Sequence, residues 1–345
     1  MITSFDLRDV PLVRQLDGQG MPMDTEAALT LGVHLLRNAL VSYLAMGERG
    51  LPTFVLRKGA NGARICALAQ LRHRAGAERA RILYIAPRLA PDEAVSGVWL
   101  GLLDHLTRVA GSRGAQSLVA EVPIDSPAVE TLRTAGFAVY TRQEVLRLDP
   151  PAGAKPGVVV PEEGIDTGST RLRPRRSEDM WSINLLYANT APPLLQLAEP
   201  PPGSQDDAWR RGYVLEDKRR GDVLAYLQVK QGPVGLCLKA WLLPDAEDRA
   251  GELVAGALRL AQPVRPRPMY WLVSRYQGWL RGLLSDNGFV EWASQAVMVK
   301  HTVARVGAEP ARALASALET HPKLAVPVVK ADRLPSQDPA HAANH

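Results

Sequence analysis

Residues 117–148 read SLVAEVPIDSPAVETLRTAGFAVYTRQEVLRL, and residues 269–301 read MYWLVSRYQGWLRGLLSDNGFVEWASQAVMVKH. Each is a short apolar strand, a polar turn, a short amphipathic helix closed by Gly-Phe, and an alternating strand. The two glycines, Gly136 and Gly288, stand 152 residues apart. Upstream of each stretch lies a further helical pattern, WLGLLDHLTRVA from Trp99 and AGELVAGALRLA from Ala250. Solenoids repeat every 20 to 50 residues or so. A spacing this long predicts two copies of one domain in a single chain.

A chain of 345 residues accommodates two domains of roughly 100–200 residues each, and each copy is long enough to bury a core. The expected boundaries are 1–148 and 170–304. Between them, 149–169 is rich in Pro and Gly and reads as a linker. Residues 305–345 form an extension whose last ten or so residues read as disordered. Apolar residues make up 46% and charged residues 22%, an ordinary globular balance.

No apolar run reaches the ~20 residues a membrane span needs. The longest, Ala27 to Met46, is broken by His34, Arg37 and Asn38 and reads as one buried or half-buried helix. Asp6, Arg8 and Asp9 stand where a secretory signal needs an apolar core. The expectation is a cytoplasmic protein with no membrane partner.

The net charge of +5 is dispersed, with clusters at Arg72-His73-Arg74, Arg171–Arg176 and Lys218-Arg219-Arg220. Nucleic-acid binding needs a coherent basic face with stacking aromatics, which this pattern lacks. Cys66 and Cys237 lie in strand-like runs without partners at metal-binding spacing. They read as buried free thiols, and no metal site is expected.

The first copy opens with a strand (ITSFDLR), then a long helix capped by Asp24 or Thr25 and ended at Gly47. Strands follow at Thr53–Arg57, Ala63–Arg72 and Arg79–Ala86, the first two joined through Gly59-Ala60-Asn61-Gly62. A loop from Pro87 to Val95, a helix from about Gly97 to Ala110, and the 117–148 stretch, closing on a strand pair, complete it. From Thr170 the order repeats. It resembles the GNAT superfamily of acyl-CoA-dependent N-acetyltransferases over residues 2–148 and 170–302. That resemblance implies an α/β (α+β) fold of two GNAT-like domains. Each is a mixed, mostly antiparallel twisted sheet with helices on both faces, and its parallel fourth and fifth strands splay into a V-shaped cleft.

The resemblance also implies a chemistry: acyl transfer, most simply acetyl transfer, from acetyl-CoA to the amine of a small molecule or peptide. Backbone amides at a helix N-terminus hold an anion because unpaired N–H groups and the helix dipole point at it. In the first copy Gly97 takes the family's first loop-glycine position, while Ala94 replaces Gln or Arg and Trp99 replaces a second small residue. The implied cofactor site comprises Ile85, Ser96, Gly97, Val98, Trp99 and Gly101. In the second copy PDAEDRAGELV (Pro244–Val254) sets Asp248 at the glycine position beside Asp245 and Glu247, and these carboxylates repel a pyrophosphate.

Glu78, at the entry to the fourth strand, and Glu121, near the end of the fifth, are the candidate general bases. Val273 stands where Glu121 would recur. Leu132 and Leu284 occupy the family's general-acid tyrosine position, and Tyr140 is the nearest tyrosine. Catalysis is therefore expected in the first copy. The alternative is a duplicated, catalytically inactive fold kept as a ligand-binding or protein-interaction module. His105, beside Asp104, reads as surface or core, and Tyr276, Trp279 and Trp292 as core or domain-interface aromatics.

Overall fold

The computed structural model describes residues 2–44, 51–60, 63–74, 76–89, 93–150, 164–199, 201–202, 210–260 and 267–302. The first half runs β1 (Ile2–Ser4), α1 (Val10–Leu16), β2 (Met21–Pro22), α2 (Thr25–Leu31), α3 (Leu35–Leu44), β3 (Thr53–Ala60), β4 (Ala63–Arg72), β5 (Arg79–Ala86), α4 (Glu93–Ser112), β6 (Ser117–Pro123), α5 (Ala128–Thr134) and β7 (Ala138–Leu148). The second half runs β8 (Ile165–Asp166), β9 (Thr170–Pro174), α6 (Met180–Thr190), α7 (Pro193–Ala198), β10 (Arg210–Asp217), β11 (Val223–Gln231), β12 (Leu236–Leu242), α8 (Ala250–Leu260), β13 (Met269–Ser274), α9 (Trp279–Asp286) and β14 (Val290–His301).

The strands join one sheet in the order β1-β3-β4-β5-β6-β14-β7-β13-β12-β11-β10-β9-β8, with β2 added beside β5. The pairs β5–β6 and β12–β13 are parallel, and the other described pairings are antiparallel. Helices cover both faces, as expected. Leu102, Leu103 and Leu106 of α4 and Leu132 of α5 pack on one face of the first half, and Val13 of α1 and Leu35 of α3 on the other. In the second half α8 and α9 share one core and α6 and α7 the opposite one.

The two Gly-Phe signals close their helices identically. Gly136 and Gly288 take φ of 89° and 86°, a left-handed conformation that costs glycine no Cβ clash. Phe137 N–H donates to Leu132 O (2.9 Å) and Phe289 N–H to Leu284 O (3.1 Å), the 6→1 bond of a Schellman ending. Leu132 and Leu284 are thus the buried apolar anchors against which the following Phe packs.

The halves exchange their last strands. β14 lies between β6 and β7, and β7 lies between β14 and β13. In the β7–β14 ladder Gln143 faces Gln295, and these two residues are 152 apart in sequence, the spacing of the repeat. A local twofold axis therefore passes through this pair, and Gln143 Nε2 donates to Gln295 Oε1 across it at 3.1 Å. The register skips Tyr140 on one strand and Trp292 on the other, a bulge and its symmetry mate.

Several expectations shift. The expected single helix over Ala27–Met46 is two helices, α2 and α3, bent by 99°, because Gly32 leaves the helical region with φ 75°. Helix α1 and strand β2 were not foreseen; Asp6 ends the opening strand by accepting from Arg8 N–H. The last strand of the first half is one bulged strand rather than a pair. Helix α4 starts at Glu93, four residues before the expected start at Gly97. Strand β8 pairs with β9 inside the stretch read as linker. Of that linker 151–163, and of the chain from 303 the whole extension, lie outside the described residues. No single described helix is long and apolar enough to cross a membrane.

Candidate functional site

Parallel strands that diverge leave backbone groups that must find other partners. The last paired residues are Arg81 with Val119 on β5–β6 and Leu238 with Trp271 on β12–β13. Beyond each pair a gap opens, and the chain fills the two gaps differently.

In the first half the gap holds the chain's own segment 19–25. Arg88 N–H donates to Gln19 O (2.7 Å), Met23 N–H to Leu83 O (2.9 Å) and, from the other side, Glu121 N–H to Met23 O (2.9 Å). Met21 and Pro22 pair with Ile85 and Tyr84, and Gly20 N–H donates to Tyr84 Oη at 2.6 Å. A Cβ on Gly20 would stand 2.4 Å from Ile85 O, so only glycine lets the segment lie this close. The chain arrives from α1 on one face, while the Met21 and Met23 side chains pass through to the core containing Trp99 and Leu102 on the other.

The segment's far end is tied into buried charge. Asp24 caps α2 through Ala27 N–H and pairs with Arg72. Burial pushes the Asp24 carboxyl up, but Arg72, Arg81 and Lys230 outweigh it and hold it well below the usual carboxylate range. Thr25 N–H donates to Glu121 Oε2 (2.9 Å) and Thr25 Oγ1 to Gln295 Oε1 (2.7 Å). Glu121 Oε1 accepts from Arg81 at 2.8 Å. Arg81 also lies 3.7 Å from Glu199 Oε1, which Lys239 reaches at 3.1 Å. Lys230 Nζ is 3.5 Å from Glu26 Oε1. Four carboxylates thus face four cations, and the groups come from both halves.

The packing there is reciprocal. Leu29 of α2 sits among Cys237, Tyr270 and Leu272 of the second half, while Arg79 of β5 donates to Gln196 O of α7 at 3.0 Å. Burial opposes the charge on Glu199 and Lys239, and their mutual attraction overrides it, lowering the carboxyl and raising the ammonium.

In the second half the gap is bridged by one side chain. Gln277 Nε2 donates to Ala240 O on β12 at 2.5 Å, and Gln277 Oε1 accepts from Ser274 N–H at the end of β13 (3.4 Å). Gln277 is buried. Tyr276 beside it is held protonated, chiefly by burial and then by Glu199. A tight turn bearing Asp245, Glu247 and Asp248 leads into α8.

The fold built this way has counterparts among solved structures. A GCN5-related N-acetyltransferase from Sphaerobacter thermophilus is similar to this chain at TM-score 0.53 and 11% identity, with 87% of this chain and 95% of the other covered. This is the GNAT fold. A tandem GNAT protein from the clavulanic acid biosynthesis pathway aligns at TM-score 0.48 and 15% identity over 87% and 98% of the two chains. The fold assignment rests on the first of these. No family model and no curated protein matches the sequence.

Against the residues that the GNAT resemblance singled out, the geometry is mixed. Glu121 stands at the first gap, but both its oxygens are engaged. Glu78 is exposed at the other end of β5, before the first paired residue Arg79, so the two carboxylates do not share a site. Tyr140 lies in the β7 bulge with its hydroxyl against His301 Nε2. Val297 links Glu121 on β6 to Thr141 on β7, which sets the backbone beside Tyr140 two strand spacings, ~10 Å, from Glu121.

Ile85 is core and pairs with Met21. Ser96, Gly97, Val98, Trp99 and Gly101 all lie within α4. Gly97 is a full turn inside it, where N–H groups are spent on helical bonds. Val98 and Trp99 are core, and Trp99 Nε1 tethers Pro87 O at 2.8 Å. Acyl-CoA does not fit the first gap as the chain fills it.

Sequence reading missed Met21, Met23, Glu26, Arg81, Glu199, Lys230, Lys239 and Gln277. One signal existed: Met-Pro-Met between Gly20 and the cap Asp24 alternates apolar residues like a strand. Among the described residues no group of three or more His, Cys, Asp or Glu is arranged to hold a metal ion.

Proposed function

We propose that this protein is an N-acyltransferase, moving an acyl group from a CoA thioester to the amine of a small molecule or peptide. The observation that supports this reading is the fold, which is similar over 87% of the chain, at TM-score 0.53, to a GCN5-related N-acetyltransferase. In such a reaction the amine attacks the thioester carbonyl, a base takes its proton, and the thiolate leaves. Two tandem GNAT-like domains, sharing their last strands, are the arrangement this reading implies.

A second reading is favoured by a specific observation: both strand gaps are filled by the chain itself. On that reading the fold is retained as a ligand-binding or interaction module without catalysis. Fold alone does not decide between the two.

One experiment separates them. The protein is incubated with acetyl-CoA and a panel of primary amines and amino-terminal peptides, and free thiol release is followed beside thermal unfolding. Binding at about 100 times Kd adds roughly 2.7 kcal/mol. An acyltransferase gives both a thermal shift and amine-dependent thiol. A shift without thiol supports the module, and neither response at millimolar acetyl-CoA removes the acyltransferase reading.

A further inference from the structure

Helix α6 is apolar on two sides, and only one of them is covered by the sheet. We propose that the other, the outer face of α6 and α7, is where two copies of this chain dock as a symmetric dimer.

The inner side of α6 is ordinary core. Ile183, Leu186 and Tyr187 pack with Leu195 of α7 against Val214, Tyr226 and Trp241 of the sheet. On the outer side Trp181, Leu185 and Ala188 recur at i, i+4 and i+7, a spacing that stacks them in one stripe along the helix. Trp181 is 74% exposed and Leu185 45%, and Ala188 is exposed as well. Helix α7 then folds back on the end of α6, where Gln196 Nε2 donates to Ala191 O at 2.7 Å. Its Leu194, 55% exposed, adds to the apolar surface.

A surface helix ordinarily turns charged and polar residues to water. Residues 180–198 contain no Asp, Glu, Lys or Arg, in a chain with 22% charged residues. Trp181, Leu185 and Leu194 alone expose about 350 Å² of side chain, already within the ~300–600 Å² of the largest patch on a typical monomer. A stable pair of proteins buries ~800 Å² on each partner, with an apolar centre and a polar rim. The stripe supplies such a centre, and the exposed Asn184 and Asn189 beside it supply a neutral rim.

The missing charge also selects the occupant. Helices that lie on a lipid surface carry Lys and Arg on their polar side, and this stretch has none. A net charge of +5 opposes self-association where like charges meet, and this face brings no charge to the contact. A twofold contact uses the same patch on both partners. With α6 antiparallel to its copy and the axis beside Leu185, Trp181 lies over the small side chain of the partner's Ala188. Aromatic anchor and shallow receiving site are then present on each copy.

An interface of this size holds with a dissociation constant of about 1 μM or tighter. Sedimentation velocity of the full chain at micromolar concentration should therefore show twice the 37.5 kDa of one chain. Trp181→Glu should raise the dissociation constant about thirtyfold or more, as for a central aromatic anchor. Leu44→Glu, which places the same charge at an exposed leucine of α3, should leave it unchanged. Leu185→Cys, next to the axis, should give a disulfide-linked dimer under mild oxidation, whereas Leu44→Cys and the wild type should not.

A wild type that keeps the mass of one chain throughout overturns the proposal. So does a dimer that Trp181→Glu leaves intact and Leu185→Cys fails to cross-link, because the contact then lies elsewhere. A monomer that co-sediments with phosphatidylcholine vesicles, and loses them on Trp181→Glu, overturns it as well and assigns the stripe to a lipid surface. The Leu185→Cys cross-link, a small change at a half-exposed position, decides the question even if Trp181→Glu folds poorly.

Discussion

Met23→Ala is the sharpest probe of segment 19–25, which fills the first gap. The Met23 side chain is 1% exposed and belongs to the core formed by β5, β6 and α4. Truncating a fully buried Met to Ala costs about 2–5 kcal/mol, the cost rising as the site fails to collapse. Here collapse is hindered on both sides. Met23 N–H is held by Leu83 O and Met23 O by Glu121 N–H, each at 2.9 Å, so the backbone cannot slide in to fill the space. The expected loss is therefore about 3–4 kcal/mol, in the upper part of that range.

For a unit of this size roughly 2 °C of melting temperature accompanies each kcal/mol, giving a fall of about 6–8 °C. Urea unfolding at pH 7 measures the free energy, and Leu44→Ala, at a site 77% exposed, serves as control with an expected change under about 0.5 kcal/mol. A Met23→Ala loss below about 1 kcal/mol would refute the reasoning, because a side chain wedged between fixed strands cannot be removed so cheaply.

Three further outcomes are expected. Arg81→Met leaves Glu121 and Glu199 without the guanidinium between them; removing one partner of a buried ion pair costs about 3–5 kcal/mol, so a urea midpoint close to wild type would contradict the network. In acid, the Asp24 carboxyl, held below its ordinary 3.8 chiefly by Arg72 against the cost of burial, contributes stability that is present above that value and lost as pH falls below it. Glu199 acts likewise from 4.5 downward. Urea midpoints at pH 5, 4 and 3 should therefore fall more steeply for wild type than for Asp24→Asn, and parallel slopes would argue against this coupling. His105, whose Nε2 finds no partner and whose ring lies edge-on to Phe54, is kept neutral by burial, with Arg108 adding to the effect. Its stabilising share is present above pH 6.5 and lost as pH falls below that value. His105→Leu should change stability at pH 7 by no more than about 1 kcal/mol and flatten the dependence between pH 6.5 and 5, measured by thermal unfolding.

Legibility in the sequence follows the range of the forces involved. Gly136-Phe137 and Gly288-Phe289 are local devices, and both helix endings and the succession of elements along the chain around them were readable from spacing. The general-acid position was readable as Leu132 and Leu284, but not the reason those leucines are there. As the first half of a Schellman contact, each is claimed by the phenylalanine that follows.

Partner choice was not readable. The alternation of β7 and β14 specifies a face for each side chain but not a neighbouring strand, so the exchange across Gln143 and Gln295 left no mark on either segment alone. Charged residues inside strands were the other blind spot. Nothing local to Lys230 or Lys239 signals burial, yet Lys230 sits against Glu26 of α2 and Lys239 against Glu199 at the end of α7. The candidate site suffered most from Gly20–Asp24, too short for a strand prediction and carrying a proline. Its role appears only where Leu83 and Glu121 are close enough to need it.

Exchange of the last strands also sets a timetable for synthesis. The edge of β6 is paired by β14 and by no earlier segment of the described chain. Gln295 of β14 pairs with Pro123 and His301 with Ser117, so β14 follows the β6 residues it pairs by about 170–180 positions. At roughly 5–20 residues per second of translation, β6 therefore waits about 9–35 s for its neighbour. During that interval a nascent first half presents an open strand edge of the kind that recruits other chains, and β7 is available to occupy it. Within a polysome the first wrong partner to arrive would be β7 of an adjacent nascent copy, so yield should depend on elongation rate and on how crowded the message is with ribosomes.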